Sequence, residues 1–226
     1  MKKLLLSFAV LCTAALSVNA QTEKGNNFIG GSIGYSNTTN KPLNSSIANQ
    51  DTEFTTFDLL PKFGHFSSKN LAVGLGIGYR EAKNVYTANT AQAGGFDVAT
   101  VTSKNNSFNV SPFVRYYVDV AEKFKFYGQG SLSAAFGKMS NVSIGYQTNA
   151  SKSKSTFTSY SAAVNPGFAF FPSKKWAIEF SFPLISYTTQ KTKNDDSNVS
   201  IQDIDVKNFS FGLNTFSPSI GLNYHF

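Results

Sequence analysis

From Phe216 to Phe226 every second residue is an aromatic, an aliphatic or a proline: Phe216, Pro218, Ile220, Leu222, Tyr224 and Phe226, with Ser217, Ser219, Gly221, Asn223 and His225 between them. A period of two belongs to a β-strand, whose successive side chains point to opposite faces. One face of this strand is greasy along its length and the other is small or polar, so the greasy face needs a thick hydrophobic environment, either a protein core or lipid. After the first twenty residues no apolar run approaches the roughly 20 residues that a membrane helix requires. If this chain crosses a membrane, it crosses with strands.

The same pattern recurs along the chain. Four segments carry a proline among aromatic and aliphatic residues, at Pro61, Pro112, Pro166 and Pro218, spaced 51, 54 and 52 residues apart. Between them stand four apolar partners that begin near Phe28, Leu71, Phe126 and Trp176. Four hairpins of this kind make eight strands. Their connections alternate in length. Phe66 to Asn70, Asp119 to Lys125 and Pro172 to Lys175 are short, whereas Thr38 to Thr52, Asn84 to Lys104, Ser140 to Thr156 and Thr188 to Lys207 are long and rich in Asn, Thr, Ser and Lys. Short turns at one end and long loops at the other are the asymmetry of transmembrane barrels.

Each strand read at period two yields an apolar face, for instance Ile29, Ile33 and Tyr35; Leu71, Val73, Leu75, Ile77 and Tyr79; Phe108, Val110, Val114 and Tyr116; or Trp176, Ile178, Phe180, Phe182 and Leu184. A soluble sandwich or lipocalin-like barrel would show the same alternation, but its other face would be outward and charged. Here that other face is mostly Gly, Ala, Ser and Asn. Gly30, Gly34, Gly74, Gly76 and Gly78 suit the crowded interior of an eight-stranded barrel, which side chains just fill. Two features strain the pattern. Proline removes a ladder hydrogen bond, so the recurrent prolines imply a ring of bulges or local breaks. Phe209, Phe211 and Leu213 are odd-numbered while the final face is even-numbered, which calls for a bulge near Asn214.

At the N-terminus, Lys2 and Lys3, an apolar run from Leu4 to Leu16, and Val18, Asn19 and Ala20 read as a secretory signal with its cleavage site. Residues 1–20 are then a signal peptide, and residues 21–226 form a single barrel domain. Cys12, the only cysteine, leaves with the signal, so neither a disulfide nor thiol chemistry is expected. The formal charge of +7 is spread over scattered loop lysines. No basic stripe interleaved with aromatics suggests a nucleic-acid surface.

The terminal strand resembles the C-terminal signal strand of Gram-negative outer-membrane barrels. The mature chain as a whole resembles a small outer-membrane β-barrel of the OmpA-like or OmpX-like type, within the broad outer-membrane β-barrel domain family. The resemblance implies an all-β, eight-stranded antiparallel up-and-down transmembrane barrel with short periplasmic turns and long extracellular loops, located in the cell outer membrane. It implies contact with outer-membrane lipid and lipopolysaccharide. It also implies a barrel-assembly machinery that recognises Ile220, Leu222, Tyr224 and Phe226. The strand prolines depart from the pattern, and the resemblance specifies architecture rather than activity.

Chemistry-bearing residues are few. His65 and His225 are expected at the periplasmic ends of their strands on opposite faces, which leaves no Ser/His constellation; two histidines without cysteine make a poor transition-metal site. No enzyme activity, cofactor or metal is expected. The charged residues predicted to face the lumen are Asp58, Lys62, Arg80, Arg115 and Glu179, and the cost of an unpaired charge in a narrow interior places Glu179 near Lys62 or Arg115. Two function classes follow. One is a structural or surface-interaction barrel whose loops meet an extracellular ligand, and the other is a narrow pore for small solutes or ions; a lipid-modifying enzyme is a distant third.

Overall fold

The computed structural model describes residues 22–41, 51–92, 95–145, 150–194, 203–212 and 219–226. The expected signal peptide lies outside the described residues. Among the described residues all regular structure is strand: β1 (Asn27–Asn40), β2 (Thr52–Ser68), β3 (Leu71–Gln92), β4 (Gly95–Ala121), β5 (Phe124–Gly145), β6 (Ser151–Phe170), β7 (Trp176–Ser181), β8 (Ile185–Asn194), β9 (Ile204–Phe211) and β10 (Ser219–His225).

Ten strands make eight staves. β6 pairs with β8 along its first half and with β7 along its second, so β7 and β8 are one stave interrupted at Phe182, Pro183 and Leu184. β9 pairs with β8 and β10 with β7, which makes β9 and β10 a second interrupted stave. Every neighbour pair is antiparallel, and the circuit runs β1 to β6 in order, then β7, β10 and back to β1. The sheet therefore closes into a barrel, which leaves no full-length edge. Among the described residues the closing seam is laddered only from Phe28 to Gly31 against Leu222 to His225, with a further exchange between Asn27 and Phe226.

Register fixes which way each side chain points. Ile29 pairs with Phe63, Phe63 with Leu75, Leu75 with Pro112, Phe108 with Phe136, and Phe168 with Phe180. This connected set is the outer face. Its Ile33, Leu59, Ile77, Val110, Leu132, Tyr160 and Leu222 are exposed. A soluble barrel would bury these residues, so an exposed belt of this extent fits a lipid-facing surface. The belt stops above Tyr79 and Phe108, where outward Glu81 pairs with outward Lys104 at 2.9 Å.

The prolines break the ladder on one side only. Pro61 is in register with Gly31 on β1, but on the β3 side the pairing jumps from Leu59 to Lys62. Pro112 faces Leu75 on β3, while toward β5 the ladder skips from Val110 to Phe113. Pro166 faces Gly128, and toward β7 and β8 the register shifts by one residue between Val164 and Gly167, where the Phe182 N–H donates to the Pro166 carbonyl at 2.9 Å. Proline has no N–H to donate, so each gap falls on the side where that N–H would have pointed. A Ser111–Ser133 hydroxyl contact of 2.9 Å bridges one gap. Pro218 and Asn214 lie outside the described residues, yet the outward face does change parity between Phe211 and Ile220.

Two sequence expectations are corrected. Trp176 to Leu184 is not one continuous face: the stave breaks at Phe182–Leu184, and outward residues resume at Ile185. The segment Asn84 to Lys104, expected as a long loop, is strand over most of its described length. Tyr86 pairs with Val101 and the β3–β4 ladder continues to Gln92 and Gly95. Val85, Tyr86, Thr87, Val98 and Val101 are strand formers, and polarity alone had suggested loop.

Candidate functional site

The end of the barrel that carries the short turns and both described termini is filled. Inward-pointing Phe28, Phe66, Phe113, Tyr117, Tyr127 and Phe171 form one buried cluster with Ala72, Ala169 and Ala177. Glycine makes room for these rings: a Cβ at Gly64 would run into Phe28, at Gly74 into Phe113, and at Gly167 into Tyr127.

Within this core sits a charge cluster. Arg115 and Glu179 are each 2 % exposed. Arg115 Nη1 donates to Glu179 Oε1 at 2.5 Å and to the Tyr117 hydroxyl at 2.8 Å. Its Nε and Nη2 both donate to Gln129 Oε1, at 3.0 and 2.6 Å. Lys62 Nζ donates to the other carboxylate oxygen, Glu179 Oε2, at 2.7 Å. The guanidinium also stacks 4.2 Å from the Tyr127 ring centroid, a cation–π arrangement. Both carboxylate oxygens therefore receive charged donors. That is the condition under which a buried ion pair repays its desolvation.

Below this cluster the opening is capped. Thr22 is 1 % exposed and donates to Asn70 Oδ1 at 2.6 Å. Lys125 donates to Thr22 at 3.0 Å and is ion-paired to Asp119. Asn70 occupies a left-handed conformation at φ 64 in the β2–β3 turn, which Asn tolerates better than most residues.

The other half of the barrel is hollow. A cavity of ≈ 670 Å³ spans the lumen, lined by side chains from β1 to β6 and from β8. Asp58 and Arg80, both expected in the lumen, meet here at 3.4 Å with side chains about half exposed. Of the predicted lumen residues, then, Lys62, Arg115 and Glu179 come together in the packed half, and Asp58 and Arg80 pair separately in the hollow half. Sequence reasoning missed Tyr117, Tyr127 and Gln129 as their partners, and Asn84, Asn105 and Asn109 as cavity residues. All have the inward parity of their strands, so the signal was present once the lipid face had been chosen.

His65 lies on the outer face and hydrogen-bonds Asn27 Oδ1 at 2.9 Å, whereas His225 is fully buried in the lumen against Phe28. The wall separates them. Among the described residues no three His, Cys, Asp or Glu side chains could hold a metal ion. Ile220 and Leu222 point outward and are exposed, and Tyr224 stacks against Phe226 at the rim with ring centroids 6.1 Å apart.

Residues 5–215 match the family model described as outer membrane protein beta-barrel domain. The chain belongs to this family. Membership places it in the outer membrane as an integral β-barrel and makes the packed half, with its short turns, the periplasmic half. No curated protein matches the sequence. Among solved structures, the outer membrane protein OprG of Pseudomonas aeruginosa is similar over 92% of this chain and 99% of its own chain, with 12% identity and a TM-score of 0.51. The outer membrane protein W of E. coli is similar over 90% and 99%, at 17% identity and a TM-score of 0.39. Ail, the attachment invasion locus protein of Yersinia pestis, is similar over 90% and 99%, at 17% identity and a TM-score of 0.34. At such identities the likeness to OprG speaks for the fold alone.

Proposed function

We propose that this barrel is a non-conducting structural and surface-interaction protein, whose extracellular end meets a ligand while its periplasmic end stays shut. The observation that carries this reading is the Arg115–Glu179–Lys62 cluster inside a ring of buried aromatics. An ion would have to displace a hydrogen-bonded charge network, and an eight-stranded barrel has no spare radius for a channel beside it. The partners in this reading are outer-membrane lipid and lipopolysaccharide around the belt, the barrel-assembly machinery that closes the sheet, and an extracellular ligand at the upper end. The alternative of a narrow pore rests on the hollow upper half, which supplies half of a path. A lipid-modifying enzyme finds little support, because His65 and His225 lie on opposite sides of the wall and cannot share a site.

Planar-bilayer recording tests the proposal. Purified barrels should insert without stable conductance steps; reproducible nanosiemens-scale steps would establish the pore instead.

A further inference from the structure

Where the lipid belt ends, the outward side chains of β6 and β8 meet in three successive cross-strand pairs: Tyr160 with Thr189, Thr158 with Lys191 and Thr156 with Lys193. All six line one groove of ≈ 350 Å³ on the outer surface of the wall. Lys191 and Lys193 share one face of β8, about 7 Å apart along the strand, and both are exposed. Neither is ion-paired among the described residues. On β9, Asp205 is in register with Lys191 and Lys207 with Thr189, so the flanking strand adds no net charge, and Asp205 lies 3.5 Å from the Thr189 hydroxyl. Across the barrel, by contrast, the outward Lys104 is already neutralised by Glu81 at 2.9 Å. The groove on β6 and β8 therefore presents two cations among hydroxyl groups, the donors that a phosphate takes.

The next two outward pairs down the same strands are Ala162 with Tyr187 and Val164 with Ile185. They line a second groove, of ≈ 530 Å³, which lies within the belt and is walled mainly by apolar side chains. Gly130 deepens it, since an added Cβ there would meet only Val114, at 3.7 Å. Tyr160 and Ala162 are successive outward residues, so the cationic groove continues into the apolar one toward the membrane centre. That order is the order of an outer-leaflet lipid, with phosphate at the headgroup level and acyl chain beneath. In hydrocarbon no hydrophobic force prefers one acyl chain to its neighbours, so the trough contributes dispersion contacts and the lysines contribute the choice of headgroup. Two lysines without carboxylate partners match a phosphate monoester, which carries about −1.5 to −2 charges at neutral pH, better than the single charge of a phosphodiester.

We propose that the outer faces of β6 and β8 form a seat for one lipopolysaccharide molecule, with a lipid phosphate held by Lys191 and Lys193 and an acyl chain lying in the trough at Gly130. This rests on the reading that puts lipopolysaccharide around the belt, and it narrows that contact from general solvation to one place on the wall.

The test titrates the full barrel, refolded in zwitterionic micelles, with bisphosphorylated lipid A, and reads bound lipid per barrel by native mass spectrometry. One lipid A should bind saturably. Fully dephosphorylated lipid A and phosphatidylglycerol should each bind at least tenfold more weakly, a comparison that needs no variant. The Lys191→Gln/Lys193→Gln double variant should weaken lipid A binding at least tenfold, and Gly130→Leu, which fills the trough, at least threefold. Lys104→Gln should leave it unchanged. Each variant is first shown to keep the heat-modified gel migration of a folded barrel. Equal binding of phosphatidylglycerol or of dephosphorylated lipid A, unchanged affinity in either site variant, or a loss at Lys104→Gln as large as that of the double variant would overturn the proposal. Bilayer recordings on the same preparation keep the two readings apart: a silent barrel that fails to discriminate among the lipids refutes this seat alone, whereas stable conductance steps refute the closed barrel whatever the lipid titration shows.

Discussion

The two halves of the lumen are built on the same eight staves with opposite interiors. In the lower half inward positions carry Phe28, Phe66, Arg115, Tyr117 and Tyr127, and glycines are placed where those rings must lie. In the upper half the same parity gives Ser107, Asn109, Ser159 and Asn84, which are too short to meet across the barrel. The outer faces differ far less. Strand geometry therefore decides closure and lipid contact, while the size of the inward side chains alone decides whether the lumen is sealed or hollow.

The comparison can be broken most severely at Glu179. Replacing Glu179 with Leu leaves Arg115 and Lys62 buried without their acceptor and should cost about 3–5 kcal/mol, read as a lower urea midpoint in detergent. Converting Arg115, Glu179 and Lys62 together to Met, Leu and Met should cost less, because no orphaned charge remains. In the upper half, Asp58→Asn removes a half-exposed pair and should change stability by about 0–1 kcal/mol. Equal losses at Glu179 and Asp58 would mean that the halves are not differently packed.

Glycine substitutions sharpen the contrast at smaller scale. Gly74→Ala forces a methyl into the Phe113 ring and the Phe63 carbonyl, and overpacking of this kind costs about 1–3 kcal/mol. At Gly34 in β1 the nearest atom to an added Cβ is Asp58 Cβ at 3.6 Å, an ordinary contact. Gly34→Ala should be neutral or should gain about 0.5–1 kcal/mol from the reduced backbone entropy. Thermal melts of the two variants side by side provide the check.

The smallest effect lies above the belt. Glu81 accepts hydrogen bonds from Lys104 and from the Tyr79 hydroxyl at 2.9 Å, and these hold its carboxyl below the ordinary value of 4.5, Lys104 first. The folded value is depressed, so the contribution of Glu81 to stability is present above the ordinary carboxylate value and is lost as pH falls through the lowered one. A pH titration of the Glu81 carboxyl by NMR should show the depression, and Lys104→Gln should remove most of it.

Much of the architecture was legible in the sequence because lipid imposes a strict period of two on strands such as Phe216 to Phe226. The grouping of Lys62, Arg115 and Glu179 followed from electrostatics, since a narrow interior leaves few ways to satisfy a carboxylate. The break at Phe182 to Leu184 was hidden by the apolar alternation that runs straight through it, although Pro183, which has no N–H to pair, stands inside it. The upper cavity was hidden for another reason. Ser, Asn and Gln at inward positions look the same in sequence whether they fill a lumen or merely line one, and the distance across the barrel decides between these outcomes.

Water access to single cysteines tests the division of the lumen most directly, because the mature chain is expected to carry no cysteine of its own. Ser107→Cys in the hollow half and Ala72→Cys in the packed half, where Ala72 is fully buried, are treated with a membrane-impermeant maleimide on barrels folded in lipid vesicles. Rapid labelling at position 107, with position 72 protected until urea unfolds the barrel, is the result expected of a lumen sealed below and open above. Comparable labelling rates at the two positions in the folded protein would show a continuous aqueous path and contradict the account.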